Sequence, residues 1–168
     1  MAYTNQQLSD IFQINLAKWK RWSREFLPPD PIAGMQCGVA REYNEQEAFI
    51  VYLGGYLVSN LKFSIPETKV LLRELNGFLM IMGFYPLRVL DPKLTVNIMR
   101  KDNGFFYEVK ESLKRECIDA ERNIYKEEYS IKLFETSGNT SDVDLLNVKK
   151  LHLSHLIEVF LNKLEMVA

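Results

Sequence analysis

Residues 15–29 read NLAKWKRWSREFLPP. Placed at 100° per residue, as an α-helix requires, Leu16, Trp19, Trp22, Ser23, Phe26 and Leu27 fall on one side. Ala17, Lys18, Lys20, Arg21, Arg24 and Glu25 fall on the other. One face is aromatic and aliphatic, interrupted by a single serine. The opposite face carries four cations and one acid. Pro28-Pro29 ends the helix, because proline lacks a backbone donor and restricts the residue before it. A short helix with an apolar back and a basic front suits the major groove of DNA. An ordinary solvated surface helix has the same pattern, so the flanking segments decide between the two.

Upstream, Thr4 and Gln7 form a capping box, and Leu8, Ile11 and Phe12 give an i, i+3, i+4 apolar stripe. Gln13-Ile14-Asn15 reads as a tight turn, with Asn15 the N-cap of the next helix. Helix, three-residue turn and helix with a basic outer face is the spacing of a helix-turn-helix. Downstream, residues 28–38 (PPDPIAGMQCG) are rich in breakers and read as a loop. Val39-Ala40-Arg41-Glu42-Tyr43 reads as a short strand, and a hairpin around residues 34–38 would make a wing. Asn44 with Glu47 starts another helix, running to about Ser59. Ser64 with Glu67 starts the next, with Pro66 in its first turn, running to about Gly83. Gly54-Gly55 weakens its helix by about 1 kcal/mol per glycine, which points to another backbone packed closely there.

The order of these parts resembles the MerR family of winged-helix transcriptional regulators. The resemblance is carried by Tyr3-Thr4 at the helix start, Gln7-Leu8 after it, and Trp22-Ser23-Arg24-Glu25 followed by Leu27-Pro28-Pro29. Arg41-Glu42-Tyr43 followed by acids, and Phe63-Ser64-Ile65 at the fourth helix, complete it. Phe26 and Lys62 stand where the family prefers glycine, and the wing lacks the usual opening arginine. The family's dimerising helix does not follow at once. The resemblance covers about half the chain and implies a DNA-binding head, a homodimer, and a distal part that dimerises or senses a signal.

The rest of the chain reads differently. Residues 94–99 suit a strand, Asp102-Asn103-Gly104 a hairpin turn, and residues 105–109 the returning strand. The charged stretch 111–126 reads as a helix, residues 129–134 as a third strand and 137–142 as a loop. From Asp144 the pattern reads as helical to the end. Leu146, Leu153 and Phe160 lie seven apart there, which suggests a partner helix.

Composition narrows the functions. The net charge is −1 and the pI about 6.2, so the chain is no polycation, and any nucleic-acid contact must come from a local patch. Residues 16–27, with four cations against one acid, supply the only such window. Cys37 and Cys117 are far apart with no ligand-type neighbours, which argues against a disulfide framework or zinc site and for a reducing cytoplasm. Cys37 reads as inert. The N-terminus is polar and no apolar run is long enough to span a bilayer, so neither a signal peptide nor a membrane association is expected. His152 and His155 are spaced for a helix face, with no third ligand in view. There is no phosphate-binding glycine loop, nucleophile elbow or metalloprotease helix; a non-enzyme without cofactor or metal is expected.

The sequence therefore predicts a mainly α protein with a small β component. A winged helix-turn-helix occupies 1–85, and a small α+β segment ending in a helix occupies 87–168. The expected function is sequence-specific binding of double-stranded DNA, as a MerR-like transcriptional regulator and homodimer, with an unknown effector at the C-terminal part. Asn15, Lys18, Lys20, Arg21, Arg24, Arg41 and Tyr43 are the expected DNA contacts, whereas Trp19, Trp22 and Phe26 are expected in the core. Arg41, with no evident structural task, is expected on a phosphate. Two alternatives are a nucleoprotein-organising or excisionase-like recombination factor, and a protein-interaction adaptor whose helix-turn-helix binds no DNA.

Overall fold

Three capping boxes set the helices of the N-terminal half. Thr4 Oγ1 accepts from the Gln7 amide while Gln7 Oε1 accepts from the Thr4 amide; Asn44 with Glu47 and Ser64 with Glu67 do the same. They open α1 (Asn5–Phe12), α3 (Glu45–Ser59) and α4 (Ile65–Ile81), and Asn15 caps α2 (Leu16–Phe26). This is a computed structural model that describes residues 1–32, 38–89, 93–101, 104–135 and 144–167, with backbone alone at 113–115 and 127–135. The expected wing turn, Cys37, the turn residues 102–103 and the loop 137–142 lie outside the described residues.

The chain divides into two compact units, Met1–Arg88 with Val159–Ala168, and Val89–Glu158. In the first, β1 (Tyr3–Thr4) pairs antiparallel with β2 (Glu42–Tyr43), Tyr3 opposite Tyr43. The expected strand at 39–43 is thus two residues long, and its partner is the start of the chain. Trp19, Tyr43, Phe49, Leu53 and Leu71 are fully buried among these elements. Gly54 and Gly55 do admit a close neighbour, but it is a pair of rings rather than a backbone. A Cβ on Gly54 would lie 2.6 Å from Phe26 Cε2, and one on Gly55 2.5 Å from Trp22 Cε3. The two glycines let the aromatic face of α2 lie flat on α3.

The second unit holds β3 (Lys93–Lys101), β4 (Gly104–Asp119), β5 (Ile124–Glu135) and β6 (Lys149–Leu151) in one antiparallel sheet of order β5-β4-β3-β6. Three expectations fail here. The stretch 111–126 is not a helix but the end of β4, a turn and the start of β5. Consecutive Glu116, Cys117 and Ile118 are all exposed. A ribbon wet on both faces has no need to alternate, so the period-2 signal of a strand is missing. The segment after Asp144 is not one helix. Residues 149–151 pair with β3, and α5 (Leu153–Glu165) begins only beyond them. Leu146, 95% exposed, lies outside the helix, so the sevenfold spacing has no structural counterpart. The β share is larger than expected, and the fold is mixed α+β.

The units part between Arg88 and Val89 and again between Glu158 and Val159, so α5 begins in the second unit and ends in the first. Phe160 packs on Phe12 at 5.1 Å and Phe49 at 5.2 Å between ring centroids, inside the first. Leu153, Leu156, Ile157, Phe160, Leu161 and Leu164 are all buried within the chain. The apolar stripe that pointed to a partner helix is covered by this molecule's own core. Among the described residues no helix is long and apolar enough to cross a membrane.

Candidate nucleic-acid interface

The turn between α1 and α2 is built from short polar side chains. Gln13, at φ 55°, closes α1 in the left-handed conformation. Ser9 Oγ donates to the Ile14 carbonyl at 2.7 Å, while the Ile14 amide donates back to the Ser9 carbonyl at 3.0 Å. Asn15 Oδ1 then accepts from the amides of Ala17 and Lys18, at 2.9 and 3.2 Å. These bonds fix the departure of α2 from α1.

On α2, Trp19, Trp22 and Ser23 are buried, and Phe26 is half-buried against Gly54. The serine that interrupts the apolar face has a specific partner. Tyr43, 1% exposed, donates its hydroxyl to Asn5 Oδ1 at 2.6 Å, so at the 2.6 Å Ser23–Tyr43 contact the serine is the donor. This chain of hydroxyls ties α2, β2 and the first residue of α1 together. A buried phenol needs such a partner.

The outer face of α2 carries Lys18, Lys20, Arg21 and Arg24, all exposed. Lys18 Nζ sits 5.8 Å from the Trp22 ring centroid. Among the described residues, Lys20, Arg21 and Arg24 make no salt bridge. The one acid of this helix is drawn aside. Glu25 pairs with Lys69 of α4 at 2.9 Å, and the lysine's hydrogen bond and charge hold its carboxyl below the usual carboxylate range. The exposed surface of α2 is therefore cationic, with Glu25 paired to Lys69 and only more weakly influenced by Arg21 and Arg24.

The other three expected contacts have structural tasks. Asn15 has committed its side-chain oxygen to the cap. Tyr43 is buried and cannot reach a phosphate without leaving the core. Arg41 is not the idle residue the sequence suggested. It donates to the Pro28 carbonyl at 2.8 Å, pairs with Glu47 at 3.5 Å and lies 5.5 Å over the Tyr43 ring. Beside it, a shallow cleft of about 400 Å³ opens between the C-terminal half of α2 and the segments at 28–30 and 41–43, lined by Asn5, Lys20, Arg24, Asp30 and Arg41 among others. Asn5 was not expected here; it stands 38 residues from Tyr43 and carries no local signal. Among the described residues no group of three or more His, Cys, Asp or Glu is placed to hold a metal ion, and His152 and His155 are exposed.

No family model, no curated protein and no solved structure matches this chain.

Proposed function

We propose that the chain binds double-stranded DNA, with α2 as the element that enters the major groove, and that it acts as a MerR-like transcriptional regulator. The observation that carries the reading is the outer face of α2. Four exposed cations lie on a helix whose opposite face is locked into a core by Trp19 and Trp22, and whose single acid is held by Lys69. A rigid helix presenting unpaired arginines and lysines matches the chemistry of phosphate neutralisation and of bidentate guanine reading. The polar turn preceding α2 and the short β1–β2 pair support the same reading, because they hold α2 in one orientation.

Within this proposal, Arg21 reads a base edge and Lys18, Lys20 and Arg24 contact phosphates. Arg41 takes a supporting part by holding the 28–30 segment against α2. The expected homodimer keeps a place only through a surface other than the apolar stripe of α5, which the chain itself covers. The test is a mobility shift with a pool of randomised duplexes at low salt, followed by sequencing of the retained fraction. Enrichment of a short motif is the expected result. Retention without enrichment favours the nucleoprotein-organising alternative, and no retention favours the adaptor.

A further inference from the structure

We infer that the cleft beside α2 is a phosphate-binding notch, and that Asn5 and Asp30 set its affinity. The inference rests on the DNA-binding reading for the source of the phosphate, but its geometry stands apart from it. Three cations from two segments, Lys20 and Arg24 of α2 and Arg41 before β2, line one cleft. Neither Lys20 nor Arg24 has an ion-pair partner among the described residues. Arg41 is held in place by the Pro28 carbonyl and Glu47, so it contributes a fixed rather than a roaming charge. Asn5 lines the same cleft. Its Oδ1 is taken by the Tyr43 hydroxyl, which leaves Nδ2 as the half of the amide free to donate. Among the described residues that Nδ2 has no hydrogen-bond partner. Leu27, Pro28 and Pro29 give the cleft an apolar wall.

A tetrahedral oxyanion, free or esterified to a deoxyribose, matches this set. Cationic side chains and a neutral amide donor take the oxygens, and the proline wall takes a sugar. The ligand class is a phosphate group, either free or as a backbone phosphodiester of DNA. Asp30 is the one acid in the lining and opposes such a ligand. Its Oδ1 accepts the Ile32 amide at 3.0 Å, so its local task needs the oxygen and not the charge.

Two isosteric changes of opposite sign test the notch. Asn5→Asp keeps the oxygen that accepts from Tyr43 and replaces the donor with a negative charge. Asp30→Asn keeps the oxygen that accepts from Ile32 and removes one. The probes are inorganic phosphate, followed by the side-chain amide resonances of Asn5, and a random-sequence duplex, followed by affinity across a salt series. The expected result is that phosphate moves the Asn5 amide signals and that Asn5→Asp weakens binding of both probes. Asp30→Asn should strengthen both, the two variants changing the duplex salt slope by about one unit in opposite directions. If phosphate moves the signals and the duplex does not bind, the notch stands and its ligand is a free phosphate, while the DNA reading falls. If the duplex binds and both variants bind it like the parent, with Asn5 signals unmoved by phosphate, the notch is wrong and the DNA reading survives. If neither probe binds, the inference is overturned.

Discussion

Replacing Gly55 and Gly77 by alanine, one at a time, should shift stability unequally, with Gly77→Ala the more stable of the two. Both glycines sit inside helices, Gly55 in α3 and Gly77 in α4, so the intrinsic gain is the same for each, about 1 kcal/mol. A Cβ at Gly77 meets nothing within 4 Å, and that gain should appear nearly whole. A Cβ at Gly55 would lie 2.5 Å from Trp22 Cε3 and 2.8 Å from Cη2. The indole is rigid and only 6% exposed, so it must retreat by roughly 1 Å to restore ordinary contact. Overpacking of this kind costs about 1–3 kcal/mol. Set against the intrinsic gain, Gly55→Ala should range from neutral to a loss of about 2 kcal/mol, and should trail Gly77→Ala by about 1–3 kcal/mol. The assay is urea unfolding followed by tryptophan fluorescence. Trp19 and Trp22 are the two tryptophans of the chain and both lie in the first unit, so the signal reports that unit alone. Pairing Gly55→Ala with Trp22→Leu should recover part of the difference, because the obstacle is gone. Equal unfolding midpoints for Gly55→Ala and Gly77→Ala would refute the claim that the glycines exist to seat the rings of α2.

Two further outcomes follow from the packing. Phe160→Ala should destabilise the first unit by about 3–5 kcal/mol, since the ring is fully buried between Phe12, Phe49 and Tyr52; an unchanged midpoint by tryptophan fluorescence would show that α5 is dispensable there. Burial pushes the Tyr85 phenol up to about 12, from an ordinary value near 10. Between those values the folded protein keeps a proton that the unfolded chain releases, so stability falls as pH rises through this window. Tyr85→Phe should show a shallower loss than the parent when urea midpoints at pH 9 and pH 11 are compared, and identical slopes would count against the burial.

The helices of the first unit were readable because their signals are local. Thr4–Gln7, Asn44–Glu47 and Ser64–Glu67 each close a capping box over three residues, and the two faces of α2 are separated within eleven. What escaped depends on distance along the chain. The lone serine on the aromatic face of α2 could be flagged, but its partner Tyr43 is 20 residues away and Asn5 a further 38 from that tyrosine. The partners of Arg41, the Pro28 carbonyl 13 residues back and Glu47 in the first turn of α3, follow no local sequence pattern. The helix expected at 111–126 failed for a different reason. Its Glu, Lys and Arg content favours a helix locally, and pairing with β5 overrides that preference. The stripe in α5 was seen but wrongly placed, because an apolar face does not disclose whether it is covered by the same chain or by another.

The exposed cations of α2 are the centre of the proposed function, and the salt dependence of duplex binding tests them most directly. Affinity is measured on one duplex from low to moderate salt for the parent and for the combined Lys20→Ala, Arg21→Ala and Arg24→Ala variant. All three side chains are exposed, so the fold should be retained, which the tryptophan signal verifies. The expected result is weaker binding and a plot of log K against log salt that is flatter by about two units, one each for the phosphate-contacting Lys20 and Arg24, with Arg21 lost as the base reader. A folded variant that binds with the parent's affinity and slope would contradict the assignment of α2 as the DNA-contacting helix.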